Sequence, residues 1–229
     1  MHMWRFILRH HLRVPLLTLT IASMLGVGLI LLRTVLTWRG QHLFLVWNLF
    51  LAWIPLALAL WLEARDRSER KRDWQFWSAA FAWLVFFPNA PYILTDLSHL
   101  KPIIQSRWWT DLILILLFAL LGLVLAFISL HQMQGIVARR RGPVESWLFV
   151  FGIAFLTGFG VYLGRFERWN SWDVIVRPFA LMADSLHWLH RHSFKFTILF
   201  GIFMFTAYVL LYSLTSLAPA SAAVRASKE

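Results

Sequence analysis

Long apolar runs alternate with short polar stretches along this chain. Six runs are long enough to cross a bilayer, at about residues 14–32, 43–62, 75–94, 112–130, 145–164 and 196–214. None holds an Asp, Lys, Arg or His in its interior, and Glu63 and Glu145 stand only at edges. A hydrocarbon core of about 30 Å takes roughly 20 residues at 1.5 Å each. Backbone groups in lipid have no water to bond, so such runs must be helices. The pattern predicts an all-α fold, a polytopic transmembrane helix bundle of about six spans forming one membrane domain over residues 1–214. Segment 165–195 mixes Trp172, Ile175, Phe179 and Leu186 with charges. It predicts an interfacial helix between spans five and six, broken near Pro178. The Ala/Ser-rich end, 215–229, reads as a disordered cytoplasmic tail. The first run, 14–32, exceeds the 7–15 apolar residues usual in a cleavable leader, and 33–40 lacks a small-x-small cleavage site, so a retained helix is expected.

Composition agrees with a membrane solvent. Hydrophobic residues make up 59% of the 229 and charged residues 14%, whereas soluble domains carry about 25% charged residues. The net charge of +11 raises nucleic acid as a partner, but the basic residues sit between apolar runs or at the ends. That placement anchors loops to anionic headgroups, so the bilayer is the expected partner and nucleic acid is not. Cysteine is absent, which excludes disulfides, thiolate catalysis and cysteine-bound metals.

Orientation follows from Lys and Arg in alternate loops. One side carries Arg5, Arg9, Arg13, Arg65, Arg67, Arg70, Lys71, Arg72, Arg139, Arg140, Arg141, Arg225 and Lys228. The other carries Arg33, Arg39, Lys101 and Arg107, plus five in the long segment 165–195. The short-loop contrast of 13 to 4 makes the first side cytoplasmic, with both termini on it. Tryptophans fall at both limits: Trp4, Trp61, Trp74, Trp77 and Trp147 inside, and Trp38, Trp108, Trp109, Trp169, Trp172 and Trp188 outside. This is the expected aromatic belt.

Two dense polar strings close the third and fifth runs, and both emerge on the outer side. The first reads Phe87-Pro88-Asn89-Ala90-Pro91-Tyr92-Ile93-Leu94-Thr95-Asp96-Leu97-Ser98-His99-Leu100. The second reads Gly158-Phe159-Gly160-Val161-Tyr162-Leu163-Gly164-Arg165-Phe166-Glu167-Arg168-Trp169-Asn170-Ser171-Trp172-Asp173. Taken together and in this order, they resemble a bacterial integral-membrane family of unknown function, DUF1361, over roughly residues 40–215. The resemblance implies a multispanning protein of the bacterial cytoplasmic (inner) membrane. It implies no activity, cofactor or catalytic residue.

Each string also carries candidate chemistry. Pro88 and Pro91 remove backbone donors late in a span, and a broken helix at membrane depth is tolerated where it is buried or lines a wet cavity. Asn89 is placed to cap a helix restarting near Pro91. On that helix Asp96 and His99, three apart, share a face. Such a pair suits an oriented general base or two ligands of a divalent metal; the alternative is a surface pair capping a helix. Gly160 and Gly164 allow close approach of a neighbouring span. Arg165 and Arg168 share a face just beyond, suited to phosphate or carboxylate or to pairing with Glu167, Asp173 or Asp96. Asn170 and Asp173 have the spacing of a variant capping box. Asn48 in the second span reaches the same region, Pro55 should bend that span, and Tyr92 and Tyr162 echo each other at the two outer ends. Asp184, His187, His190 and His192 read as a polar helix face rather than a metal site, and His10 and His11 as cytoplasmic surface.

Three functions survive. The first is an outer-facing polar site acting on a membrane-resident or anionic substrate, with Asp96 and His99 as chemistry and Arg165, Arg168, Asn48, Asn89, Tyr92, Tyr162 and Asp173 as binding residues. The second is a small permease or channel, and the third a non-catalytic scaffold. The lack of mid-span ionisable groups argues against proton coupling.

Overall fold

The computed structural model describes residues 12–38, 40–68, 72–100, 105–187 and 191–226; the side chains of 105–107, 185–187, 191–192 and 215–226 lie outside that description. His10, His11 and His190, and the side chains of His187 and His192, therefore lie outside the described residues. The described chain is helical, with no strand among the described residues. Its elements are α1 (Arg13–Thr37), α2 (Leu43–Arg67), α3 (Trp74–Phe86), α4 (Asn89–Tyr92), a 3-10 turn (Ile93–His99), α5 (Gln105–Arg141), α6 (Pro143–Phe166), α7 (Asp173–Val176), α8 (Pro178–His187) and α9 (Arg191–Ala226).

Among the described residues, five helices are long and apolar enough to cross a membrane: α1, α2, and the segments Trp108–Arg141, Pro143–Phe166 and Ser193–Leu214. The sixth expected span, 75–94, differs in kind. Helix α3 has 13 residues, about 20 Å at 1.5 Å per residue, short of the bilayer core. The helical path then continues as α4 and the 3-10 turn. Pro88 and Pro91 are the reason, since neither can donate a backbone hydrogen bond.

Other helices run beyond their apolar cores. The stretch 131–141, expected as loop, is the last three turns of α5, and only Gly142 separates it from α6. Gly142 sits at φ 101°, where a side chain would be strained. Between α6 and α9 the chain forms α7 and α8, divided just before Pro178, which takes the first helical position. Helix α9 continues to Ala226, through the segment whose composition suggests an unstructured tail. The alanines there are strong helix formers.

Helix α5 is the most buried of the long helices and contacts α1, α2, α4, the 3-10 turn and α6, while α9 packs chiefly on α6. Its Ile115, Phe118, Leu125 and Leu130 meet Leu45, Leu56 and Ala59 of α2 in the core. One polar knot lies inside it: the Trp83 indole N–H donates to Ser129 Oγ at 2.8 Å, and Ser129 donates to the Pro55 carbonyl at 3.0 Å. This ties α3, α5 and α2 without leaving a buried polar atom unpaired. Two glycines let backbones meet. A Cβ on Gly122 would stand 2.4 Å from the Ala90 carbonyl oxygen, and one on Gly160 would stand 2.6 Å from Pro88 Cγ. The broken segment is thus seated between α5 and α6. Its polar string is brought to the end of α6, where the second string begins.

Candidate functional site

Ile93–His99 is a 3-10 helix, in which residues i and i+3 eclipse. Asp96 and His99 therefore stand one above the other, closer in register than on an α-helix. Asp96 is 1% exposed. Its Oδ2 accepts from Asn48 Nδ2 at 2.9 Å, and its Oδ1 accepts from Arg165 Nη1 at 3.3 Å. Arg165 Nη2 reaches Ser98 Oγ and stands 3.3 Å from His99 Nδ1. Burial pushes the Asp96 carboxyl above the ordinary carboxylate range, opposed by the Asn48 hydrogen bond and the charges of Arg165 and His99.

Arg165 thus sits between the two groups read as a base pair or metal ligands. His99 Nδ1 is 3.7 Å from Asp96 Oδ1, too long for a hydrogen bond, and it faces the Arg165 guanidinium instead. A guanidinium only donates, so in this contact Nδ1 is the acceptor. A carboxylate-oriented base has the reverse arrangement, with Nδ1–H donating to the carboxylate. The same guanidinium occupies the place a divalent ion would need between the ligands. Among the described residues no group of three His, Cys, Asp or Glu is placed to hold a metal ion. The arrangement is a buried ion pair held by an amide, with His99, half exposed and 5.2 Å from the Phe44 ring, at its rim.

Asn89 plays a different part from the one its position suggests. The short helix restarts at Asn89 itself, with Pro88 as its N-cap and no side-chain cap. Asn89 Nδ2 instead donates back to the Phe86 carbonyl at 3.0 Å and across to Ser171 Oγ at 2.8 Å, and Ser171 donates to the Val85 carbonyl at 3.1 Å. This pair joins the two polar strings directly.

Arg168 is not on the face of Arg165. Helix α6 ends at Phe166, and Arg168 follows in a left-handed conformation with φ 60°, exposed and without an ion pair among the described residues. Asp173 does not cap a helix, since α7 begins at Asp173 with Trp172 as its N-cap and no side-chain cap; its Oδ2 instead accepts the Asn170 backbone N–H at 2.8 Å and closes the turn into α7. Tyr162 is buried beside Phe166, ring centroids 4.9 Å apart, on the side facing Phe196 of α9. Tyr92 packs on Gly164.

Between the strings lies a pocket of about 180 Å³, lined by Trp47, Asn48 and Leu51 of α2, Val85, Pro88, Asn89 and Tyr92 of the broken segment, Gly160, Leu163 and Gly164 of α6, and Trp169, Asn170, Ser171, Val174 and Leu181 beyond it. Asn48 belongs to both the pocket and the ion pair, so the buried charges stand directly behind the pocket wall.

Sequence reasoning passed over two further ionic clusters. At the same end of the bundle, Arg33 pairs with Asp111 and lies 2.7 Å from His42 Nδ1. Burial, then the Arg33 charge, holds His42 below the usual histidine range against the pull of Asp111. At the opposite end, buried Glu63 and Asp66 are neutralised by Arg67, Arg72, Arg139 and Arg140. The signal for this second cluster was Asp66 set among basic residues, which charge counting alone hides.

No curated protein and no solved structure matches this chain. The signature of the family described as "Protein of unknown function (DUF1361)" matches residues 47–207, which runs from the first turn of α2 to the middle of α9 and takes in every residue of the pocket. The chain belongs to the DUF1361 family.

Proposed function

We propose that this membrane protein presents an outer-facing polar site at the mouth of its helix bundle, which binds a membrane-resident substrate. The observation that carries this reading is the pocket itself. Both polar strings, some 70 residues apart, contribute side chains to one cavity at one end of the bundle. The Lys and Arg distribution supports reading that end as the outer face of the membrane, with both termini inside and the broken third segment as a sixth crossing.

The residues divide into two groups. Asn48, Asn89 and Tyr92, with Ser171, line the binding space. Asp96, Arg165 and His99 form the brace behind it and hold the 3-10 turn against α2 and α6. Because Arg165 is engaged by Asp96, this geometry favours binding over base or metal chemistry. In the core Trp83, Phe87 and Phe118 are fully buried, which favours a site open to one side over a permeation path.

Native mass spectrometry of the full chain released from membranes tests the reading. The wild type should carry a co-purifying amphiphile that Asn89→Leu loses, while a Gly152→Ala control, at a position with open space around it, retains it. Equal occupancy in all three proteins would contradict a site at this pocket and move the weight to a scaffold role.

A further inference from the structure

We infer that the pocket takes an uncharged, polyhydroxylated group, either the sugar headgroup of a membrane glycolipid or a free sugar. This rests on the binding reading above and names its ligand chemistry.

The argument begins with charge. Among the described residues no Asp, Glu, Lys, Arg or His lines the pocket. Asp96 and Arg165, behind the Asn48 wall, face each other rather than the cavity, and the Asp173 carboxylate is taken up by the Asn170 backbone N–H. An anion or cation placed here would lose its hydration without gaining a counter-charge, a cost of several kcal/mol. A neutral polar group meets no such penalty.

The second line is hydrogen-bond supply. Asn48 spends one amide N–H, and Asn89 both of its own, on protein acceptors. Their amide oxygens, the Tyr92 hydroxyl and the Trp169 indole N–H have no protein partner among the described residues. The wall therefore offers the amide oxygens of Asn48, Asn89 and Asn170 as acceptors, the Tyr92 hydroxyl as both, and the Trp169 indole and the second Asn48 N–H as donors. Hydroxyl groups, each donor and acceptor at once, answer such a mixed set. A phosphate, which only accepts when ionised, would leave the amide oxygens unanswered.

The third is shape and surface. Trp47 and Trp169 supply indole walls beside Leu51, Leu163 and Pro88, and the apolar C–H face of a sugar ring packs on such surfaces. At about 180 Å³, the pocket is smaller than the roughly 300–1,000 Å³ of sites that enclose drug-sized ligands. It suits one ring-sized group, with any acyl chains left in the surrounding lipid.

The test uses the full chain in vesicles holding equal mole fractions of monoglucosyl-diacylglycerol, diacylglycerol and phosphatidylglycerol, with retained lipid read by native mass spectrometry. Retention of the glucosyl lipid should exceed that of the other two at least tenfold, and Tyr92→Phe, which removes only an unpartnered hydroxyl, should cut it severalfold without changing the melting temperature. Displacement by millimolar glucose would identify the free sugar as sufficient; persistence against glucose would identify the lipid-borne form. Preference for phosphatidylglycerol, or retention indifferent to Tyr92→Phe, would overturn the sugar assignment and leave the binding site standing. Equal, low retention of all three lipids would overturn both.

Discussion

The side-chain amide of Asn48 donates to the buried carboxylate of Asp96 at 2.9 Å, joining α2 to the turn that ends the broken helix. That bond lets a charged group sit at 1% exposure beside a pocket with no charge of its own. Asn48→Ala should cost about 1.5–3 kcal/mol, the range for hydrogen bonds to charged groups. Thermal unfolding in detergent measures it, and a cost near zero would mean that Arg165 alone satisfies Asp96.

Asp96 also gives the protein a pH signature. Its folded pKa is raised by burial, so folding favours the protonated form. The corresponding stability is fully present below the ordinary carboxylate value of about 4 and is lost as pH rises through the raised folded value. Compared with Asp96→Asn, which cannot titrate, the wild type should therefore gain stability as pH falls from neutral towards 4. Melting temperatures of both proteins across that window decide the point; parallel curves would contradict it.

Close backbone approach at Gly160 should be intolerant of a side chain. Gly160→Ala places a methyl 2.6 Å from the Pro88 ring, and overpacking of this kind costs about 1–3 kcal/mol. Gly152→Ala, on the same helix with nothing near, should be neutral or slightly stabilising. The paired unfolding curves separate packing from helix propensity.

Ser129→Ala should be costlier than its size suggests. The substitution leaves the Trp83 indole N–H, fully buried, without an acceptor, at about 1–3 kcal/mol. The double variant Ser129→Ala with Trp83→Phe should recover part of that loss, as a double-mutant cycle would show.

The long spans were legible because burial in lipid permits only helices and leaves a run of roughly 20 apolar residues as its mark. The emergence of the two polar strings at one end was legible as well, since alternate spans place both there; their contact was not. Nor were the partners within that contact. Arg165 reads equally as an anion clamp and as a counter-ion until the Asp96 carboxylate is seen against it, 69 positions away in the chain. Arg168 shares a helical face with Arg165 only if α6 continues, and the left-handed residue that ends the pattern carries no glycine to announce it. Ser171 resembles any loop serine, yet it is the hydroxyl that joins Asn89 to the second string. The Arg33–Asp111–His42 cluster draws on three separate helix ends, and spacing along the chain cannot bring those together.

The most direct test of an outer-facing site built from both strings exploits the absence of native cysteine. Asn89→Cys and Ser171→Cys are introduced together, and intact cells are treated with a short, membrane-impermeant, bifunctional thiol reagent. An internal cross-link in the double variant, absent from either single variant, is the expected result, because the native side chains meet at 2.8 Å beside a pocket proposed to open on the outer face. A cross-link that forms only after the cells are permeabilised would place the site on the cytoplasmic side, and no cross-link under either condition would contradict the site itself.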